Sequence, residues 1–417
     1  MNLYLFNATD SAAIYGIGAY LRELTQALEG CNINIHIIHL HSIRPEFEIV
    51  KTNEVENWYI PEIRNMNTFS GSTQKVENYY RNVIYLLRLY IKDTNDLIFH
   101  FNHNQSQALA KGLKEVFDCR TVAVVHYVKW MLELHGNLQK YHMIKSKPEN
   151  QRTLFEQLLH TTDEYENALY KEADRVIALS QYMQHILVTE YQLNRGKISV
   201  ISNGLEDITP LPVNEKEVLR RKWRISGKEF IILFTGRLHP VKGLSFLIKA
   251  FRRVLVKIPD CRLMIAGGGD YDIYLKEAKD ICTRITFTGL LEKEELYDLY
   301  SIADLGVTPS FHEQCSYVAI EMMMHGLPVI GSTSTGLKEM IVDGETGLHI
   351  PVIEYDDRVE IDTSLLAEKI LYLLQHPEER LHMGVNARRR YLEKYSLPVF
   401  RKNMLDFYQS LFKQTAL

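Results

Sequence analysis

Short apolar runs alternate with longer stretches of helical period from one end of the chain to the other. Asn2–Phe6 reads as a strand, with a helix over Gly16–Leu28 behind it. Ile33–Leu40, Asp96–Phe101, Thr121–His126, Arg175–Leu179 and Ile198–Ile201 follow as strands. Strand, helix, strand in this rhythm predicts a parallel sheet with helices on both faces. Gly204–Lys216 (GLEDITPLPVNEK) breaks the rhythm. Its prolines, its acidic residues and its lack of period mark a linker. The pattern then restarts. Phe230–Thr235 (FIILFT) is a nearly unbroken apolar strand and Ser245–Ile258 a helix. Arg262–Ala266, Thr286–Thr288, Leu305–Thr308 and Pro328–Ile330 are further strands.

Two successive alternating halves predict an α/β protein with two Rossmann-like, doubly wound domains facing a cleft. In such sheets ligands sit at the carboxyl ends of strands, so chemistry is sought in the loops that follow them. The size agrees, because 417 residues is long for one core and comfortable for two. A net charge of -4 supplies no basic field for a nucleic-acid backbone. Five scattered cysteines without a C-x-x-C spacing suit a reduced, cytosolic chain. The N-terminus has no basic signal-peptide start, and no run approaches the roughly 20 apolar residues of a membrane helix. Glu77–Lys92 is aromatic and basic on a helical period. That pattern suits a helix buried in the first domain, and it also leaves room for peripheral contact with a membrane surface.

Three strand-end loops are rich in glycine. Tyr15–Tyr20 contains Gly16 and Gly18 after the first strand. It frees backbone N–H groups at a helix start, yet Leu21 stands where a dinucleotide fingerprint has its third glycine. Thr235–Gly243 (TGRLHPVKG) follows the most hydrophobic strand. Gly236 permits a sharp exit, and Arg237 and Lys242 then offer a planar fork and a mobile point charge for phosphate oxygens. Ala266–Asp270 (AGGGD) reads as a turn, since no cation accompanies it. A fourth stretch, Pro309–Glu321 (PSFHEQCSYVAIE), carries Glu313 and Glu321 with His312 and Cys315 beside the first. Ser316 is placed to cap a helix beginning near Tyr317. Even on one helix, eight residues would hold the two carboxylates roughly 12 Å apart, too far for an acid/base pair.

In order and spacing, GRLHPVKG, AGGGD, FTGLLEKEELYDLYSIADLGVTPS, the E-x7-E pair and EMMMHGLPVIGSTSTGLKEM resemble the second domain of retaining GT-B glycosyltransferases of family 4. The first half agrees through its glycine turn, VVH at a strand end, and ADRVIALSQYMQHIL leading to ISNGL. The resemblance implies an acceptor-side domain over 1–205 and a nucleotide-sugar domain over 206–394. It also implies that a helix over 395–417 crosses back to the first domain. It implies that Arg237 and Lys242 neutralise the donor diphosphate, that Glu321 holds the ribose and that Glu313 lies near the sugar. Gly18 and Gly236 would approach the phosphates. Leu290 or Leu291 would meet the base, and Cys315, Ser316 and Tyr317 would offer backbone N–H groups. His126 would contact the sugar near its anomeric carbon. Ser316 stands where the family commonly has glycine, and Tyr127 where aspartate is frequent, so the identity of the sugar does not carry over.

The expected activity is retaining transfer of a hexose-type sugar from a nucleotide-diphosphate sugar to a glycan, lipid-linked or peptide acceptor. No metal or cofactor is expected, because Arg and Lys stand in for a cation. His103 and Asn104, in a polar strand-end cluster, are candidates to face the acceptor. His36, His39 and His41 lie along one strand without a local carboxylate, which argues against a metal centre. A cytoplasmic protein, free or peripheral at the inner face of a membrane, fits this reading. A sugar-nucleotide epimerase and a nucleotide-binding partner subunit without activity are the alternatives.

Overall fold

A computed structural model describes residues 1–7, 16–52, 55–62, 73–102, 107–208 and 213–413. Internal contacts divide the chain into two compact units. The first comprises Met1–Lys129, Lys147–Gly204 and Phe400–Leu417; the second comprises Trp130–Ser146 and Leu205–Val399.

The first unit is built on eight strands: β1 (Asn2–Asn7), β2 (Asn34–Ser42), β3 (Glu48–Thr52), β4 (Val55–Pro61), β5 (Leu97–Phe101), β6 (Cys119–Val125), β7 (Arg175–Ala178) and β8 (Ile198–Val200). Their order is β3-β4-β2-β1-β5-β6-β7-β8. All neighbours are parallel except the hairpin of β3 and β4, which is antiparallel. β1 and β5 are apolar and buried throughout, apart from Asn2, His100 and Asn7, because helices cover both faces. The β3–β4 hairpin is not predicted by the sequence pattern. β3 is largely exposed and charged, so it lacks the apolar run that marks the inner strands.

The second unit has β9 (Phe230–Thr235), β10 (Cys261–Ala266), β11 (Ile285–Gly289), β12 (Leu305–Thr308), β13 (Val329–Ser332) and β14 (Gly347–Ile350), plus a hairpin of β15 (Val352–Glu354) and β16 (Val359–Ile361). The main sheet runs β11-β10-β9-β12-β13-β14, all parallel. Its core gathers Ile232, Phe234, Leu247, Phe251, Leu263, Ile265, Val307 and Ile330, all essentially inaccessible to solvent.

Three findings sharpen the expected boundaries. A helix, Val213–Lys222, starts inside the stretch read as linker. Glu215 in its first turn and Arg220, Arg221 and Lys222 in its last complement the helix dipole. Trp130–Ser146 belongs with the second unit although its position in the chain lies in the first half. Buried Asn137 fixes it there, donating from Nδ2 to the carbonyls of Tyr355 (2.7 Å) and Arg358 (3.4 Å). Trp130 stacks on Tyr141 at 4.2 Å to close the segment on itself. The last helix, Leu397–Ser410, gives its residues from Phe400 onward to the first unit. Tyr408 there hydrogen-bonds His100 Nδ1 at 2.8 Å, and Arg401 donates to the Ala27 carbonyl. No helix among the described residues is long and apolar enough to cross a membrane.

Candidate functional site

In the second unit the strand order reverses between β9 and β12, and the loops leaving those two strands flank the crevice there. The first carries Arg237 and Lys242. Gly236 leaves β9 at φ +131, and Gly243 ends the loop at φ +69 in the left-handed region. Between them Pro240–Lys242 forms a single tight turn, capped by His239 Nδ1 accepting from the Val241 N–H. A Cβ on Gly243 would lie 2.1 Å from the Pro309 carbonyl oxygen. The glycine therefore lets the Lys242 loop press against the start of the β12 loop. Gly267 and Gly269 play the same part from β10. A Cβ at either would strike the backbone carbonyl of Gly236 or Leu238, at 1.8 and 2.6 Å. AGGGD is thus a packing turn that supports the cationic loop.

The second loop carries Glu313. Lys242 Nζ meets Glu313 Oε1 at 2.5 Å, with 22% and 14% of the two side chains exposed. The Glu313 backbone is pinned from both sides. Its N–H donates to Thr335 Oγ1 at 2.9 Å, and its carbonyl accepts from Thr335 Oγ1 and from the Gly336 N–H. His312 beside it is buried, and neither ring nitrogen has a hydrogen-bond partner among the described residues. Burial pushes that imidazole down to about 4, so it is neutral at pH 7. Ser316 caps the helix Tyr317–Met324, its hydroxyl accepting from the Ala319 N–H at 3.4 Å. The Ser316 N–H itself donates to the weak thioether acceptor of Met340 at 3.2 Å.

Glu321 sits in the second turn of that helix and accepts from the Tyr300 hydroxyl at 2.7 Å. Tyr300 also lies 2.7 Å from Thr235 Oγ1. Burial, and then the Glu321 carboxylate, push the phenol far above its usual range. It keeps its one proton and donates that O–H in a hydrogen bond to Glu321, so Thr235 must donate to the phenol oxygen. The chain Thr235–Tyr300–Glu321 fixes the carboxylate at the carboxyl end of β9.

In the first unit the order reverses between β1 and β5. His126 follows β6, and its Nε2 lies 2.9 Å from Asn102 Oδ1 at the end of β5. An amide oxygen only accepts, so Nε2 carries the proton. Tyr20, from the helix Gly16–Leu28, packs edge-on against the imidazole at 4.7 Å. Burial pushes His126 down to about 3, which makes it a neutral imidazole at any ordinary pH. Tyr20 Oη, Asn102 Nδ2 and His100 Nε2 are buried around it without hydrogen-bond partners among the described residues.

Of the residues singled out in the sequence, Arg237, Lys242, Glu313, Cys315, Ser316, Tyr317 and Glu321 come from the two loops and the helix at one switch point. Arg237 is exposed, while Cys315 and Ser316 are buried. Leu290 and Leu291 follow β11, Leu290 72% exposed and Leu291 half-buried. Gly18 is buried in the first turn of its helix. His103 and Asn104 lie outside the described residues. A carboxylate does reach the histidine strand, since Glu56 of β4 pairs with His36 at 2.9 Å. Among the described residues no group of three or more His, Cys, Asp or Glu side chains is placed to hold a metal ion. Sequence reasoning placed Asn102 in a polar cluster facing the acceptor and missed its hold on His126, and it missed the roles of Thr235, Tyr300 and Thr335 altogether. A polar residue ending an apolar strand was the available signal for Thr235 and Asn102. Tyr300 and Thr335 act through tertiary contacts that no local pattern announces.

Known families match both halves. The model for "Glycosyltransferase Family 4" matches residues 14–207, and that for "Glycosyl transferases group 1" matches residues 215–390. A glycosyltransferase of Methanocaldococcus jannaschii is 30% identical over 248 residues, covering 57% of this chain and 60% of that one. The chain spans about half to two thirds of the length of the relatives it matches in sequence. Sucrose-phosphate synthase from Thermosynechococcus elongatus has the same fold, with a TM-score of 0.76, 22% identity and 99% of each chain covered. So does an Anabaena protein solved with UDP-glucose, with a TM-score of 0.69, 15% identity and coverage of 98% of this chain and 100% of that one.

Proposed function

The chain belongs to the GT-B glycosyltransferases of the family 4 type, and from that premise we propose that it transfers a hexose-type sugar, with retention, from a nucleotide-diphosphate sugar to a glycan, lipid-linked or peptide acceptor. The observation that carries this reading is the pairing of Lys242 with Glu313 at the switch point, between the loop that also carries Arg237 and the loop that leads into the helix Tyr317–Met324. Cations and backbone N–H groups converging at a strand end suit a leaving diphosphate. The complex of the Anabaena protein with UDP-glucose supports a donor of this chemistry.

In this reading Arg237 and Lys242 meet the diphosphate, which competes with Glu313 for the ammonium. Glu313 is then available to the sugar hydroxyls. Glu321, held by Tyr300, takes the ribose hydroxyls, and Leu290 or Leu291 borders the base. Backbone N–H groups at Cys315 and Tyr317 and the turns at Gly18 and Gly236 approach phosphate and sugar, and the Ser316 N–H joins them by giving up its weak thioether acceptor, Met340. The acceptor oxygen bonds to the anomeric carbon on the face that the diphosphate leaves. The carbon–oxygen bond to phosphate breaks, and a phosphate oxygen takes the acceptor's proton. His126 is neutral and presents its ring near the reacting carbon as a hydrogen-bonding group. The cations do the work of a metal, so none is required.

The test is incubation with UDP-, GDP- and ADP-sugars and mixed glycan acceptors. Nucleoside diphosphate release is followed together with the product's anomeric proton by NMR. Acceptor-dependent release with an unchanged anomeric configuration is expected. Isomerised donor without transfer would instead identify an epimerase. Nucleotide binding with no product in any acceptor screen would identify a partner subunit without activity.

A further inference from the structure

A cavity of about 350 Å³ lies in the second unit where the segment Trp130–Ser146 meets the start of the helix Leu244–Lys257 and the β15–β16 hairpin. Its lining includes four rings, the half-buried His135 and Phe246 and the buried Tyr274 and Phe311. His135 stacks on Phe311 at 5.7 Å with 19° between the planes, and Phe246 meets Phe311 edge-on at 5.5 Å. His135 holds its place with φ +55, and Gly136 follows at φ +76. A Cβ on Gly136 would lie 2.9 Å from the Phe311 carbonyl oxygen, so the turn is pressed onto that loop. The backbone at 135 suits glycine better than any residue with a side chain. Here the strained position carries a ring and lays it against another. The rim is charged and balanced, with Glu133 and Asp357 against Lys140 and Arg358. Lys140 donates to the Asp357 carbonyl at 3.0 Å and Arg358 to Glu360 at 2.8 Å, so these groups are held in place.

We propose that this cavity takes one neutral pyranose ring and serves as the acceptor subsite. A pyranose has apolar C–H faces, which suit the aromatic walls, and hydroxyl edges, which suit a rim of fixed donors and acceptors. The balanced rim gives no preference to a phosphate or a polyanion. The volume falls within the range of small-ligand sites. Gly243 lines the cavity one residue after Lys242, and Phe311 lines it two residues before Glu313. A ring bound here therefore sits beside the donor grip. The acceptor role rests on the transfer reading above; the binding of a pyranoside does not.

The test uses the full chain and saturation-transfer NMR. The probes are methyl glucoside, galactoside, mannoside and N-acetylglucosaminide, with inorganic phosphate and methyl glucuronide as charged controls. His135→Gly removes the imidazole while relieving the backbone, so its thermal midpoint should not fall below that of the wild type. Phe246→Ala removes a second wall. At least one neutral pyranoside is expected to bind the wild type and to lose about tenfold in affinity in both variants. Nucleoside diphosphate binding is expected to be unchanged in both. No neutral pyranoside binding, equal binding in the variants, or a preference for phosphate or glucuronide would overturn the site. If a pyranoside binds as expected but no donor sugar is ever transferred to it, the acceptor role is overturned while the site stands.

Discussion

The two units place their candidate side chains at the carboxyl ends of similar sheets, yet by opposite means. In the second unit the chemistry is ionic and reachable by solvent, with Lys242 against Glu313 and Glu321 under Tyr300. In the first it is neutral and packed, with His126 bonded to Asn102 and wedged by Tyr20. In the proposed reading Lys242 meets a diphosphate, so it keeps its charge and gives up some burial; His126 sits near the reacting carbon without titrating and does the reverse. The contrast means that substitutions in the second unit should act through charge, and those in the first through geometry.

The largest expected effect comes from Lys242→Ala. Removing a cation aimed at developing negative charge should lower kcat by about 100- to 1000-fold, read as nucleoside diphosphate release. An unchanged kcat would move the diphosphate elsewhere and break the contrast at its ionic end. Glu321→Gln should weaken nucleoside diphosphate binding by about tenfold or more, since a charged hydrogen-bond acceptor is lost. Binding of inorganic pyrophosphate should not change. Equal losses for both probes would show that Glu321 acts on the phosphates.

In the first unit, Asn102→Leu removes the acceptor that fixes the His126 ring. It should reduce kcat by about tenfold with little change in KM for the donor. A change confined to KM would instead make the pair a binding contact.

The smallest effect concerns acid stability. The folded His126 ring stays neutral down to about pH 3. An unfolded ring takes its proton near 6.5. Between those values the unfolded state binds more protons, so stability falls as the pH drops through that window. His126→Gln removes this cost, about 2 kcal/mol between pH 7 and pH 5. The wild type's thermal midpoint should therefore fall further over that interval than the variant's. Equal slopes would mean that the imidazole is not desolvated.

Much of this arrangement is legible in the chain because buried parallel strands write themselves as apolar runs. FIILFT announces β9, and the Arg and Lys beyond it stand out as charges at a strand end. Ser316 capping a helix at Tyr317 follows from side-chain chemistry alone, and the helix begins there. What resists reading is tertiary. Tyr300 reaches Glu321 across 21 positions of sequence and Asn102 reaches His126 across 24. The β3–β4 hairpin hides because an exposed edge strand needs no apolar run. Trp130–Ser146 reads as part of the first half, and it takes tertiary contacts, such as the buried amide of Asn137 on the Tyr355 and Arg358 carbonyls, to show that it belongs to the second. AGGGD reads as a turn and is one, but its reason lies in the neighbouring loop's backbone.

The most direct measurement is calorimetric titration of UDP-, GDP- and ADP-sugars into the wild type and into Lys242→Ala. One nucleotide sugar should bind the wild type, and the variant should lose about tenfold or more in affinity for it. Binding of equal strength in the two proteins, or no binding of any nucleotide sugar to the wild type, would contradict a donor site built on Lys242 and Glu313.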